Sequence, residues 1–264
     1  AAIYLNQAKY DRAESSYRQA LRIDERSLGK DHPQVARDFD DLGRVREARG
    51  DTQGAEDFFR RALQLREKAL PADHPDMAYS FNNLGALMLQ RLKKSTPAAN
   101  DPPLGISELI FRHSQWLQVE SLFQKALTIA ELTPDASQAA ISFSLNYLSW
   151  LYEMQGRQAD AEKLLKRMLG IYERTFGADH PDLLPIITEL PAFHANHGQP
   201  EPAESYYQRA LQIAKKGFGV FHMSVVRALE SLAHFYELQG RLLPAERHFL
   251  QALAISERLA EAGQ

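Results

Sequence analysis

The chain has 264 residues and a formal net charge of −3, and it contains no cysteine. The missing cysteines exclude disulfide bonds, thiolate metal sites and a cysteine nucleophile. Lysine and arginine are spread among aspartate and glutamate, so the sequence offers no basic face for a phosphate backbone, and nucleic acid is not an expected partner. No apolar run approaches the roughly 20 residues that span a bilayer, so membrane insertion is not expected either.

The first residues, AAIYLNQ, include no initiator methionine, no basic leader region and no targeting signal. Hydrophobic residues make up 44% of the chain and charged residues 25%, which is typical of a folded, water-soluble protein. We therefore expect a piece of a longer protein or a processed chain, with the cytoplasm as the preferred location.

The tripeptide Asp-His-Pro recurs along the chain and reveals an internal repeat. His32 and His74, in two of its copies, are 42 residues apart, and His180 and His222 show the same spacing. From His74 to His180 the distance is 106 residues, which is two periods plus an excess of 22. The pair Ala-Glu keeps this period, at residues 13–14, 55–56, 161–162, 203–204 and 245–246. A fixed period indicates a tandem array, and it favours a repeated turn over metal ligands or acid/base pairs as the explanation of the tripeptide.

Each repeat is predicted to contain two helices, A and B. In residues 141–156 the apolar side chains recur with a spacing of 3.6 residues and end on a glycine suited to the left-handed position after helix A. Residues 157–177 carry a second apolar stripe and form helix B. Pro181 stands where the first turn of the next helix needs no amide hydrogen, and Asp179 and His180 precede it as capping candidates.

In chain order, the array begins in the middle of a repeat. We predict a single array over residues 1–264, with units at 1–34 (partial), 35–76, 77–140, 141–182, 183–224 and 225–264. The third unit contains an insert at about 91–114, for which we expect a solvent-exposed loop followed by a short helix. Prolines in the fifth unit are expected to shorten or bend its helix A; they are Pro185, Pro191, Pro200 and Pro202.

The repeat resembles a known family. Leu42-Gly43 on helix A, followed by Ala55, Phe59 and Ala62 on helix B, is similar to the tetratricopeptide repeat pattern. The 42-residue period and the Gly-x-Asp-His-Pro linker resemble the kinesin light chain type of this repeat. The resemblance implies an all-α fold, a right-handed superhelical solenoid of antiparallel helix pairs. It also implies a scaffold that binds a peptide or a partner-protein segment along the concave groove lined by the A helices.

Projecting this resemblance onto the A helices gives the candidate groove residues, which are Arg37, Arg44, Tyr79, Asn82, Asn83, Phe143, Asn146, Trp150, Arg227 and His234. An asparagine amide at position 82 or 146 can donate to and accept from a peptide backbone, although it can equally be a solvated polar residue. Trp150 is either an aromatic anchor for a partner or a packing residue between helices.

Two other functions stay open at this point. The array can be the ligand-sensing part of a larger regulatory protein, or a homo-oligomeric assembly platform that works by self-association. The sequence contains no phosphate-binding loop, nucleophile elbow or metalloprotease motif, so we predict neither catalysis nor a cofactor or metal ion. His194 and His197 have a spacing that suits a metal pair, but no matching carboxylate or cysteine accompanies them, which favours a structural or solvated pair.

Overall fold

The computed structural model describes residues 1–95, 105–132, 138–196, 198 and 200–262. These residues form helices and turns and contain no strand, which confirms the prediction of an all-α repeat array. The helices are α1 (Ala2–Asn6), α2 (Tyr10–Ser27), α3 (Pro33–Arg49), α4 (Thr52–Ala69), α5 (Pro75–Lys94), α6 (Ile106–Leu132), α7 (Gln138–Met154), α8 (Gln158–Phe176), α9 (Leu184–Asn196), α10 (Pro200–Phe218), α11 (Met223–Leu238) and α12 (Leu242–Glu261). None of the described helices is long and apolar enough to cross a membrane.

The chain divides into two compact units, residues 1–155 and 156–264. In the first unit, the helices from α1 to α7 each pack against the next helix along the chain. In the second unit, the same serial packing joins the helices from α8 to α12. Odd-numbered helices from α3 to α11 are the A helices of the repeats, and even-numbered helices are the B helices.

The recurring histidine begins the A helices. The Nδ1 atom of His74 accepts a hydrogen bond of 3.1 Å from the backbone amide of Asp76, and Pro75 opens the helix. His32, His180 and His222 cap their own helices in the same way. The aspartate before the histidine is not the cap that we expected, because in two copies it forms an ion pair with a lysine of the next B helix along the chain instead. The two pairs are Asp31 with Lys68 and Asp179 with Lys216, each at 2.7 Å.

A residue with positive φ ends most A helices. Gly50 adopts φ +87° after α3, a conformation that a side chain makes costly. Ala8, which is 42 residues earlier, also has a positive φ, of 54°. The short helix α1 therefore occupies the last turns of an A helix, in the same register as the end of α3.

The insert in the third unit differs in part from the prediction. The apolar segment that begins at Ile106 is not a separate short helix, because α6 continues from it without a break to Leu132. Residues 96–104 of the expected loop lie outside the described residues. The B helix of this repeat is thus lengthened at its start, where Ile106, Ile110 and Phe111 are exposed.

Helix A of the fifth unit is shorter than the next helix A, as predicted. The segment Pro181–Leu183 forms a 3₁₀ turn, and the α-helix that follows it has 13 residues with Pro191 inside. The neighbouring A helix α11 has 16 residues.

Candidate functional site

A cleft of about 650 Å³ opens in the first unit, where the A helices α3, α5 and α7 approach one another. Its lining combines charged, amide and aromatic side chains and consists of Gln34, Arg37, Asp40, Asp41, Arg44, Arg66, Pro75, Asp76, Ala78, Tyr79, Asn82, Asn83, Ala130, Ala140 and Phe143. A volume of this size suits a ligand of a few residues.

A buried ion pair lies at the base of the cleft. Arg66, on helix B of the second repeat, is only 1% exposed, and its Nη2 atom is 2.7 Å from Oδ2 of Asp40 on α3. The Arg66 guanidinium also donates to the hydroxyl of Ser80 on α5. The amide of Asn83 donates to Asp40 Oδ1 at 3.4 Å. These groups come from three helices and have few arrangements that satisfy all their contacts. They therefore hold α3, α4 and α5 in one arrangement.

The wall of the cleft is a tyrosine stacked with arginines. The guanidinium carbons of Arg44 and Arg66 lie 5.1 and 5.7 Å from the ring centroid of Tyr79, which is within the range of cation–π attraction. Tyr79 is nevertheless 38% exposed, and Phe143 on α7 is exposed to the same extent. Two aromatic surfaces held in fixed positions and open to solvent are typical anchors for a partner.

The charges of the cleft nearly balance. Three arginines and three aspartates line it, and Arg37 forms an exposed pair with Asp76 at 3.4 Å. Burial raises the pKa of the Asp40 carboxyl, although Arg66 and Asn83 oppose this effect. Burial likewise raises the pKa of Asp41, against the opposing charge of Arg44. The cleft therefore favours a ligand of mixed or low charge over a strongly acidic or basic one.

Six of the predicted groove residues line this cleft, namely Arg37, Arg44, Tyr79, Asn82, Asn83 and Phe143. Asn82 is buried, and its Oδ1 atom accepts a hydrogen bond of 2.9 Å from Ser144 on α7. The carbonyl oxygen that we expected to serve a ligand thus joins α5 to α7. Asn82 positions the cleft wall through this bond.

The other predicted residues lie elsewhere. Asn146 and Trp150 are one and two turns beyond Phe143 on α7, and neither is among the residues that line the cleft. The Trp150 ring has the Nζ atom of Lys93 4.7 Å from its centroid. Arg227 and His234 are exposed on α11 of the second unit, where His234 is 3.2 Å from Glu237.

Sequence reasoning missed Arg66, the central residue of the cleft base. A signal was present, because Arg66 falls on the apolar stripe of helix B. The corresponding residues of the third and fifth units are Ala130 and Ala214, both buried. A charged residue where two other repeats have a buried alanine indicates a buried polar contact with a neighbouring helix.

The described residues contain no group of three or more histidine, aspartate or glutamate side chains that could hold a metal ion. His194 is buried and has its Nε2 atom 3.8 Å from Glu162 Oε1. His197, the other member of the predicted pair, lies outside the described residues.

Comparisons with known proteins identify the repeat. A family model described as tetratricopeptide repeat matches residues 1–68 and 192–258, which together make up half of the chain, and a second model with the same description matches residues 144–182. The chain belongs to the tetratricopeptide repeat family. Comparison with curated protein sequences gave no match.

Solved structures show the same fold. A putative kinesin light chain from Podosopora anserina superposes with a TM-score of 0.67 at 21% identity, covering 86% of this chain and 98% of its own. BtubC (BKLC) from P. vanneervenii gives 0.67 at 18% identity and covers 100% and 94%. Aspartyl phosphate phosphatase F from Bacillus subtilis gives 0.62 at 14% identity and covers 97% and 68%. The predicted similarity to kinesin light chain repeats is confirmed at the level of the fold.

Proposed function

We propose that the protein is a non-catalytic interaction scaffold, and that its first unit binds a short peptide or an extended segment of a partner protein in the cleft. The observation that carries this proposal is the fixed aromatic wall, in which Tyr79 is held by Arg44 and Arg66 yet remains 38% exposed. A ligand that meets a preformed wall loses its own freedom but does not have to order the scaffold.

The polar groups suit a peptide as ligand. The exposed guanidinium groups of Arg37 and Arg44 can donate to peptide carbonyl or carboxylate oxygens, and Phe143 offers a surface for an apolar side chain. A ligand with an aromatic or aliphatic anchor next to an acceptor matches this arrangement. Asn146 and Trp150 remain predicted contacts for a ligand that extends further along α7, and Arg227 and His234 remain predicted contacts of the second unit.

A displayed library of random peptides tests the proposal. Peptides selected on the whole chain are then measured against Tyr79→Ala and Arg44→Glu, which are expected to weaken binding about tenfold or more, as anchor residues do. Arg12→Glu is the matched control, because Arg12 is an exposed arginine of the same unit outside the cleft. Failure to select any peptide, or selected peptides whose affinity is the same for the cleft variants and the wild type, contradicts the proposal.

We also propose the cytoplasmic location expected from the sequence, which cell fractionation would test.

A further inference from the structure

The start of α6 extends beyond the helix that packs against it. Gly85 on α5 lies against the ring of Phe123 on α6, and the two helices run antiparallel. Counting outward from this contact places Lys94, the last residue of α5, level with Ser114. Residues 106–113 therefore project past the end of α5. Four apolar side chains of this segment, which we call the apolar tip, are exposed; they are Ile106 (77%), Leu109 (53%), Ile110 (65%) and Phe111 (55%).

A groove of about 590 Å³ lies further along α6, on the opposite side of α5 from the cleft. Its floor is apolar and includes the buried side chains of Met77, Phe81 and Ile129. Its rim is polar, and the exposed rim residues that α6 supplies are Ser121, Gln124, Lys125 and Thr128. An apolar floor with a polar rim suits the apolar side chains of a docked helix.

The apolar tip and the groove lie on the same side of α6. Ile110 is seven residues before Leu117, and Gln124 on the groove rim is seven residues after it, a spacing that keeps side chains on one helix face. Leu117, midway between the tip and the groove, is 53% exposed. At 1.5 Å per residue, Ile110 and Gln124 are about 21 Å apart along one continuous helix. The tip therefore does not reach the groove of its own chain.

We propose that a second copy of this chain fills the groove, in a two-fold contact in which the two α6 helices run antiparallel with Leu117 against Leu117. Reversing the helix about Leu117 places Ile110 of one copy at Gln124 of the other. Ile106 and Thr128 correspond in the same way, since each is eleven residues from Leu117. Each apolar tip then lies over the groove of the other copy.

The polar side chains agree with this arrangement. His113 is four residues before Leu117 and Glu120 is three residues after it, so each His113 lies beside Glu120 of the other copy. An imidazole donates to a carboxylate when it is neutral and pairs with it as a cation when it is protonated. An unrelated helix in the groove would leave the tip exposed, whereas a second copy covers both. Because both copies use the same surface, the contact closes at two chains.

Sedimentation velocity of the 264-residue chain over a dilution series gives the first test. The average mass is expected to rise with concentration and to level off at two chains. Ile110→Asp in the tip and Ser121→Arg on the groove rim are each expected to lower the association constant about tenfold or more. Ile23→Asp is the matched control, because Ile23 is a 56% exposed isoleucine on α2 of the same unit.

Circular dichroism verifies that these variants fold. A strictly monomeric wild type, growth beyond two chains, or a dimer that neither variant weakens overturns the proposal. The peptide cleft takes no part in the contact, so the outcome does not depend on peptide binding.

Disulfide cross-linking tests the direction of the contact, and the absence of cysteine makes it specific. Leu117→Cys chains are expected to form a disulfide with one another on oxidation. Ile110→Cys and Gln124→Cys chains are expected to form disulfides mainly when the two variants are mixed. If Ile110→Cys chains pair with one another more readily than with Gln124→Cys chains, the helices run parallel and the proposal is overturned.

Discussion

The two units fill the same repeat register with different chemistry. At one inward position of the A helices, the first unit places Asp38, Ser80 and Ser144, all buried. The second unit places Ile186 and Ala228 at that position, which are also buried. The same fold thus accepts either polar or apolar side chains at this position. The polar side chains of the first unit form hydrogen bonds that the apolar ones cannot form.

Two of these polar side chains in the first unit, Ser80 and Ser144, contact residues that line the cleft. Ser80 contacts Arg66, and Ser144 contacts Asn82, so both hydroxyls fix residues of the cleft lining. Buried polar groups add less stability than apolar packing, but they have few satisfactory arrangements. The polar contacts of the first unit thus fix the cleft lining, whereas buried residues between Ala203 and Leu259 of the second unit form an apolar cluster.

The strongest test of this contrast is removal of the buried cation. Arg66→Met leaves the buried Asp40 carboxylate without its ion-pair partner, and we expect a loss of about 3–5 kcal/mol in the free energy of unfolding. Urea unfolding followed by tryptophan fluorescence measures the first unit, since Trp116 and Trp150 both belong to it. Adding Asp40→Leu should recover most of the loss. A change below about 1 kcal/mol would show that the pair does not organise this unit.

Asp38 predicts a pH dependence of the folding stability. Ile186 and Ala228, at the same position of the second unit, cannot ionise and predict none. Burial, together with nearby Asp24, raises the pKa of Asp38 to about 7 from its usual 3.8. The native state then keeps a proton that the unfolded chain releases, so stability falls as pH rises from 3.8 to about 7. Asp38→Asn cannot ionise and should be more stable than wild type by about 2 kcal/mol at pH 8. Chemical denaturation should show this difference shrinking towards pH 4, and a difference independent of pH would contradict the assignment.

The close packing of helices at glycine gives a smaller expected difference in stability between the two units. A Cβ atom on Gly43 would lie 2.6 Å from the Phe59 ring, whereas the second unit has Ala233 at this register. Gly43→Ala should therefore cost about 1–2 kcal/mol in unfolding free energy despite its better helix propensity. Gly170→Ala, within α8, meets no atom closer than 3.9 Å and should gain about 0.5–1 kcal/mol. Equal effects at the two glycines would remove the packing explanation.

Helix caps should show no contrast at all. His74→Ala and His222→Ala each remove a cap of 3.1 Å, one in each unit, and each is expected to cost about 1 kcal/mol. Thermal unfolding by circular dichroism would measure both variants. A much larger effect in one unit would mean that this histidine has a further role there.

The sequence predicts the fold well because period, helix stripes and turn residues are local signals that repeat. The lengthened helix α6 was missed, since the apolar segment at Ile106 can belong to a separate helix or continue the next one. Tyr79 and Phe143, which the A-helix register predicted as groove residues, line the cleft, and their role in binding stays a prediction. The register could not show that Asn82 accepts a hydrogen bond from Ser144. That pairing joins residues 62 positions apart and depends on how two helices pack.

The contact between repeats, in which a glutamate at the start of one B helix faces a side chain of the next A helix, has a consequence for how such a chain changes in length. Every complete B helix carries the same glutamate, while the opposite helix supplies arginine, tyrosine or histidine. Because the acceptor is constant, a gene duplication or deletion of one whole 42-residue repeat recreates an acceptor facing a donor on both sides of the change. A whole repeat inserted in register is therefore expected to keep this contact with both of its neighbours.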